Sequence, residues 1–275
     1  GNEENVKTLL SNPNFVPYQC DTRDYARLSQ IFKQEKVELV YHYAAVVGVK
    51  RTLERPLEVL DVNIKGTQNV LEAALKCGCK KVVNMSSSEV YGNPVAVPER
   101  EDGPKNVEMP YALSKLVGEE YARIYYQKYG LTTVSLRLFN VYGPRQDASP
   151  YGFVVAIFID RVLKGKPPVI FGDGFQTRDF TYVQDCIEAT VLAGDSDSVD
   201  GEVFNVAAGK PVTILDLAEL IIELCGSKLV PVFEEPRPSE IRHRFADISK
   251  IRIALGYKPR CELRTGLGFT IEYYR

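Results

Sequence analysis

Histidine is scarce in this 275-residue chain: only His42 and His243 occur, and the six cysteines are scattered. A tetrahedral zinc site needs ligands in close pairs, and Cys77-Gly78-Cys79 has no second pair or nearby histidine to complete one. The same cysteines (Cys20, Cys77, Cys79, Cys186, Cys225, Cys261) are too few to staple a chain of this size, so reduced, packed thiols and no metal are expected. Long apolar runs are absent too. Phe153 to Ile159 falls far short of the ~20 residues that span a bilayer. No charged n-region followed by an apolar stretch stands at the start. Thirty-four basic against 36 acidic side chains leave a formal charge of −2, which excludes a phosphate-neutralising basic field and, with it, nucleic-acid binding. A compact, soluble, cytoplasmic protein is the expectation, with 45% hydrophobic residues enough for a large core.

Strand-like and helix-like segments alternate through the first half. Phe15 to Cys20 is a short apolar run, and Tyr25 to Lys36 places Ala26, Leu28, Ile31 and Phe32 on one helical face. Val37 to Ala45 and Lys81 to Met85 read as buried strands, being apolar without strict alternation. Val59 to Cys77 and Tyr111 to Tyr129 are long helical patterns closed by Gly78 and Gly130, and Thr132 to Phe139 is again a strand. This order predicts an α/β fold: a doubly wound, mostly parallel, Rossmann-like sheet with helices on both faces. In the second half the pattern predicts helices over Phe153–Lys164, Val183–Ala193 and, after a Thr213 cap, to Leu224. Strands are expected at Val169–Phe171 and Val203–Val206, and an Asp247-capped helix to Leu255. Pro231 to Arg244 reads as irregular.

Ligands of open parallel sheets sit at the carboxyl ends of the strands. Three segments fall there: Ala44-Ala45-Val46-Val47-Gly48, Ser86-Ser87-Ser88-Glu89-Val90-Tyr91-Gly92 and Asn140-Val141-Tyr142-Gly143. The helix that follows opens Tyr111-Ala112-Leu113-Ser114-Lys115, and the four-residue spacing puts phenol and ammonium on one face. An ammonium near a phenol favours the phenolate, so Tyr111 could act as a general base beside a strand-end serine. A tyrosine and a lysine four apart also arise by chance in a chain with 16 tyrosines; the serine strand end just ahead raises the chemical reading.

The segments YHYAAVVGV, DVNIKGTQNVLEAA, SSSEVYGNP, PYALSK, RLFNVYGPRQ, FGDGFQTRDFTYVQD, FNVAAG and PRPSEIRHRFADISK, in that order, resemble the extended short-chain dehydrogenase/reductase family, and most closely its nucleotide-sugar 4-epimerases. The resemblance implies NAD as cofactor and a UDP-sugar as substrate. It implies hydride transfer from sugar C4 to NAD, turning of the 4-keto sugar, and return of the hydride to the other face. Residue by residue, it implies Ser87, Tyr111 and Lys115 as catalytic, with Tyr111 the base and Lys115 on the nicotinamide ribose. Asp21 and Thr22 match the adenine-binding strand end. Tyr43, Ala44, Ala45, Val46 and Val47 would line the dinucleotide, with Asn63 and Phe139 as further contacts. Asn140, Arg178 and Arg237 match diphosphate contacts, Val169, Ile170 and Phe171 the uracil, and Glu240 the uridine ribose. Arg244 stands where the family gates the sugar 2-substituent. A homodimer through helices 59–77 and 111–129 is implied as well. Residues 1–144 with 178–208 would form the NAD-binding domain, and 145–177 with 209–275 the nucleotide-sugar domain.

Two departures bear on this reading. The family's G-x-x-G-x-x-G loop does not occur, and Gly1-Asn2 corresponds to the residues after the second strand, so a unit of ~30 residues is expected ahead of this chain. Ser88-Glu89 sits where related dehydratases carry Asp-Glu and decarboxylases Ser-Glu. A decarboxylase or dehydratase thus stays open, as does a non-catalytic nucleotide-sugar or dinucleotide-binding protein.

Overall fold

The computed structural model describes residues 3–149, 151–237 and 241–275. In chain order the first half runs α1 (Tyr25–Glu35), β1 (Leu39–His42), α2 (Val49–Glu54), α3 (Pro56–Leu60), α4 (Gly66–Cys77), β2 (Lys81–Ser87), α5 (Pro110–Tyr129) and β3 (Thr132–Leu138). The second half runs β4 (Val141–Tyr142), α6 (Val154–Leu163), β5 (Val169–Phe171), β6 (Thr177–Asp179), β7 (Thr181–Tyr182), α7 (Val183–Asp195) and β8 (Val203–Val206). It closes with β9 (Pro211–Thr213), α8 (Ile214–Leu224), β10 (Val232–Glu234), α9 (Ser249–Leu255) and α10 (Leu263–Tyr274).

The main sheet is parallel throughout, in the order β1-β2-β3-β8. Each strand returns through a helix, as parallel neighbours require. β2 is buried along its whole length because helices cover both faces. Alternation sends Val82 toward Val70, Leu71 and Tyr125 of α4 and α5, and Val83 with Met85 toward Ala189 and Ala193 of α7 and Ile251 of α9. A further core joins α6, α8 and α10 through Val155, Ile159, Leu217, Ile221 and Leu267, with Ile170 of β5 and Tyr142 of β4. Burying each such side chain contributes roughly 1.5–3 kcal/mol.

Local signals place the ends. Asp24 accepts the Arg27 N–H at 3.0 Å to start α1. Gly78 and Gly130 stop α4 and α5 in left-handed conformations. Thr213 Oγ1 accepts the Asp216 N–H at 2.9 Å at the start of α8. Four expectations change. The strand expected over Val37–Ala45 shortens to β1, because Tyr43 onward leaves the ladder. Phe15–Cys20 joins no strand, and Val16 is exposed. The long pattern to Cys77 is one helical path interrupted by a π-helical turn at Asp61–Lys65. The irregular segment after Pro231 contains β10, which pairs in parallel with β5. At α9, Asp247 Oδ1 accepts the Ser249 N–H at 2.8 Å, so the cap lies one residue ahead of the helix boundary at Ile248.

Candidate active site

β1, β2 and β3 point the same way, so the loops after them meet at one end of the sheet. Ser87 closes β2 in an extended conformation, and its Oγ accepts the Glu89 N–H at 3.2 Å, capping the 3-10 turn Ser88–Tyr91. The next helix begins with Pro110 at its first position, where a missing N–H costs nothing. Tyr111 and Lys115 occupy its first two turns.

Lys115 is drawn inward, and its Nζ donates to the Met85 carbonyl of β2 at 2.7 Å. That leaves its Nζ 5.9 Å from the Tyr111 ring centroid. Burial pushes the ammonium down to about 8. The Tyr111 phenol goes the other way: burial pushes it up to about 12, opposed by a hydrogen bond with Ser87 and assisted by the nearby Glu89 charge. The sequence argument, in which Lys115 pulls the phenol down, thus meets the opposite sign. Desolvation outweighs a cation already engaged by a carbonyl. Under this lysine lies His42, held neutral by burial and by the Lys115 charge at about 3, with Nε2 3.0 Å from Thr67 Oγ1.

The loop after β1 is pinned from the π-helical turn. Asn63 Oδ1 accepts the Val46 N–H at 2.7 Å, while its Nδ2 donates to the Val46 carbonyl at 3.1 Å and to Ser114 Oγ at 3.0 Å. Its amide is committed to the protein, so Asn63 positions Ala44–Val47 where the sequence reading made it a cofactor contact. Tyr43 leans on α7, its hydroxyl 2.6 Å from Thr190 Oγ1. Asp21 lies in the turn before α1, its carboxylate held down at about 2 by Arg23, whose guanidinium also reaches Asp61 at 2.8 Å. Thr22 sits against α4: Asn69 Nδ2 donates to its carbonyl at 2.9 Å, and a Cβ on Gly66 would come within 2.4 Å of Thr22 Oγ1, so only glycine admits this approach. Phe139 is wholly buried with Tyr91, Ala207 and Ala246, so its side chain is core.

After β3, Asn140 takes a left-handed conformation with φ 22°, and its carbonyl accepts the Thr181 N–H at 3.3 Å. Its Nδ2 is buried without a hydrogen-bond partner. Arg178 on β6 donates to the carbonyls of Thr177 and Ile241, both at 2.8 Å. Val169, Ile170 and Phe171 form β5, with Ile170 in the core. The Arg237 guanidinium stacks 4.1 Å from the Phe171 ring centroid and lines one pocket with Asp173, Gln176 and Arg242. Glu240 lies outside the described residues.

Arg244 requires correction. It is 1% exposed and buried beneath the Ser88–Gly92 segment, where it pairs with Glu89 and donates to the Gly92 carbonyl at 2.5 Å. A guanidinium so engaged does not face a sugar 2-substituent. Glu99, 3.6 Å from Arg244 Nε, and Asp179 escaped the sequence reading. Asp179 is fully buried and accepts the Ala208 and Gly209 N–H groups at 3.0 Å and that of Ala246 at 3.2 Å. It ties β6 to both segments, and burial pushes it up to about 6. Only its place beside Arg178 hinted at this.

A serine at a strand end that favours ionisation of a tyrosine one helical turn ahead of a buried lysine is a recognisable constellation, and residues 2–207 match the model of the NAD dependent epimerase/dehydratase family. The chain belongs to that family. It is 37% identical over 276 residues to a putative UDP-glucose 4-epimerase of Methanocaldococcus jannaschii, covering 100% of this chain and 87% of the relative. It is 38% identical over 250 residues to a UDP-N-acetyl-alpha-D-glucosaminuronate decarboxylase of Bacillus cytotoxicus, covering 86% and 77%. The crystal structure of Thermotoga maritima UDP-glucose 4-epimerase with UDP-glucose superposes with a TM-score of 0.92 at 36% identity, covering 96% of this chain and 85% of that one. NAD is the family's cofactor, and the donor set here suits the nicotinamide-ribose half. Lys115 has spent one of three N–H donors on Met85, leaving two for ribose hydroxyls.

Proposed function

We propose that this protein is an NAD-dependent UDP-hexose 4-epimerase. The observation that carries the reading is the meeting of Ser87, Tyr111 and Lys115 at the end of β2: Lys115 is anchored on the Met85 carbonyl of that strand at 2.7 Å, and the Ser87 hydroxyl favours ionisation of the Tyr111 phenol. Bound NAD would supply a hydride acceptor and donor for the sugar C4. Tyr111 takes and returns the proton of the 4-hydroxyl, and Ser87 bonds the same oxygen. Lys115 holds the nicotinamide ribose. Ala44–Val47, set by Asn63, and Asp21 with Thr22 take the rest of the dinucleotide. Asn140, Arg178 and Arg237 face the diphosphate, since guanidinium forks match its oxygens. The Phe171–Arg237 stack is a platform suited to a flat base, with Glu240 assigned to the adjoining ribose.

The same proposal divides the chain into 1–144 with 178–208 for NAD and 145–177 with 209–275 for the nucleotide sugar. It includes a cytoplasmic homodimer through helices 59–77 and 111–129, supported by exposed Leu113 and Ile124 on α5. Among the described residues, no helix is long and apolar enough to cross a membrane. The test is product analysis after incubation with NAD and UDP-glucose, UDP-galactose or UDP-glucuronate. A C4 epimer is expected, and its absence with all three overturns the reading. A second reading, decarboxylation of a UDP-uronate, is favoured by the Glu89 carboxylate beside Tyr111 and by the decarboxylase relative. Release of CO₂ from UDP-glucuronate would establish it.

A further inference from the structure

Glu99 is a buried acid that the epimerase reading does not use. It is 3% exposed, and neither of its carboxylate oxygens has a hydrogen-bond partner. Its backbone is fixed: the Glu99 N–H donates to Phe245 at 2.8 Å and its carbonyl accepts from Asp247 at 2.9 Å. This brings the carboxylate to 3.6 Å from Arg244 Nε, which itself lacks a hydrogen-bond partner. On its other side Arg244 pairs with Glu89, whose side chain is 42% exposed in the site and whose charge reaches the Tyr111 phenol. One buried guanidinium therefore lies between two carboxylates, and the charge of the outer one acts on the proposed base. Arg178 and Asp179 are the other charges acting on Glu99.

We propose that Glu99 is a positioning residue for Tyr111: it competes with Glu89 for Arg244, and so sets how much of the Glu89 charge acts on the phenol. When Glu99 is neutral, Arg244 belongs to Glu89 and the Gly92 carbonyl, and the Glu89 field at Tyr111 is at its weakest. When Glu99 is ionised, the guanidinium is shared, and more negative charge opposes the phenolate. Burial pushes Glu99 up to about 8, so it changes state within the working range. The inference rests on the epimerase reading.

Glu99→Gln fixes the neutral state, and the readout is kcat/KM for UDP-sugar epimerisation against pH, with wild type in parallel. The two profiles should coincide below about pH 7, and near pH 9 the variant should be about two- to fivefold faster, through kcat more than KM. In a Glu89→Gln background the same substitution should change nothing, because the charge that it modulates is gone. Glu99→Met, also neutral and similar in volume, should reproduce the shift should Gln impair folding. Superimposed profiles near pH 9, or an effect that persists without Glu89, overturn the inference while the epimerase reading stands. Absence of wild-type turnover overturns that reading itself and the inference with it.

Discussion

Glu119→Gln should destabilise this protein severely although the residue touches no proposed ligand. Glu119 on α5 and Arg137 on β3 form a buried bidentate pair, Nε to Oε1 at 2.9 Å and Nη2 to Oε2 at 2.8 Å. Arg137 is 1% exposed, and its Nη1 also donates to Tyr91 Oη at 2.9 Å and the Glu101 carbonyl at 3.0 Å. Ser86 donates to Glu119 from β2. Removing one charge leaves the other buried with only neutral partners, at a cost of about 3–5 kcal/mol. For a chain of this size each kcal/mol moves Tm by roughly 2–4 °C, so the midpoint should fall by about 10 °C. Replacing both partners by apolar residues, Arg137→Met with Glu119→Leu, should cost far less than the sum of the single changes, because no unpaired charge remains. Calorimetric unfolding of the two single variants and the double reads this directly. A Glu119→Gln protein within about 1 kcal/mol of wild type, or a double variant as unstable as the sum, would refute the reasoning.

Tyr111→Phe should retain the wild-type melting profile and lose about 10²- to 10⁴-fold in epimerisation, the usual range for a general base; activity within threefold of wild type would remove Tyr111 from that role. Lys115→Met should raise stability near neutral pH while abolishing turnover. The ammonium sits at about 8 in the fold against 10.5 ordinarily, so the unfolded chain binds more protons between those values. Wild-type stability should therefore rise with pH across that window, by about 3 kcal/mol, and the variant should show no such rise; chemical denaturation at several pH values checks both. Asn63→Ala removes three hydrogen bonds worth about 1 kcal/mol each and frees the loop after β1. It should weaken NAD binding, measured by calorimetry, by more than it lowers Tm.

The main sheet was legible in the sequence because buried parallel strands read as apolar runs bounded by capped helices, and Lys81–Met85, Thr132–Phe139 and Val203–Val206 carry that signal without interruption. Phe15–Cys20 carries a weaker version and forms no ladder, since a strand also needs a partner that local pattern does not encode. The proposed triad of Ser87, Tyr111 and Lys115 comes from the Tyr111–Lys115 spacing and the serine run before it, and the fold brings the three to one end of β2. What spacing could not reveal was where the ammonium ends: the Met85 carbonyl, thirty residues earlier, decides that. Asn63 and Arg244 were found as residues and misread as roles. In both, the side chain is held by groups distant in sequence, namely Val46 and Ser114 for Asn63 and Glu89 and the Gly92 carbonyl for Arg244.

The two central groups start from the costly side of their chemistry. With the phenol near 12, forming the phenolate at neutral pH costs about 7 kcal/mol, more than in an exposed tyrosine. The Ser87 hydrogen bond lowers that cost, while the Glu89 charge adds to it. Lys115 lowers it little while its charge is spent on Met85. The chain's remaining lever is thus to cancel Glu89, and Arg244 is placed to do so, a buried cation whose direct partners include that carboxylate. A base tuned through a neighbour's counter-ion is adjustable in a way that a base tuned by burial alone is not. Burial is fixed by the fold, whereas the share of Arg244 that Glu89 receives depends on the protonation of Glu99.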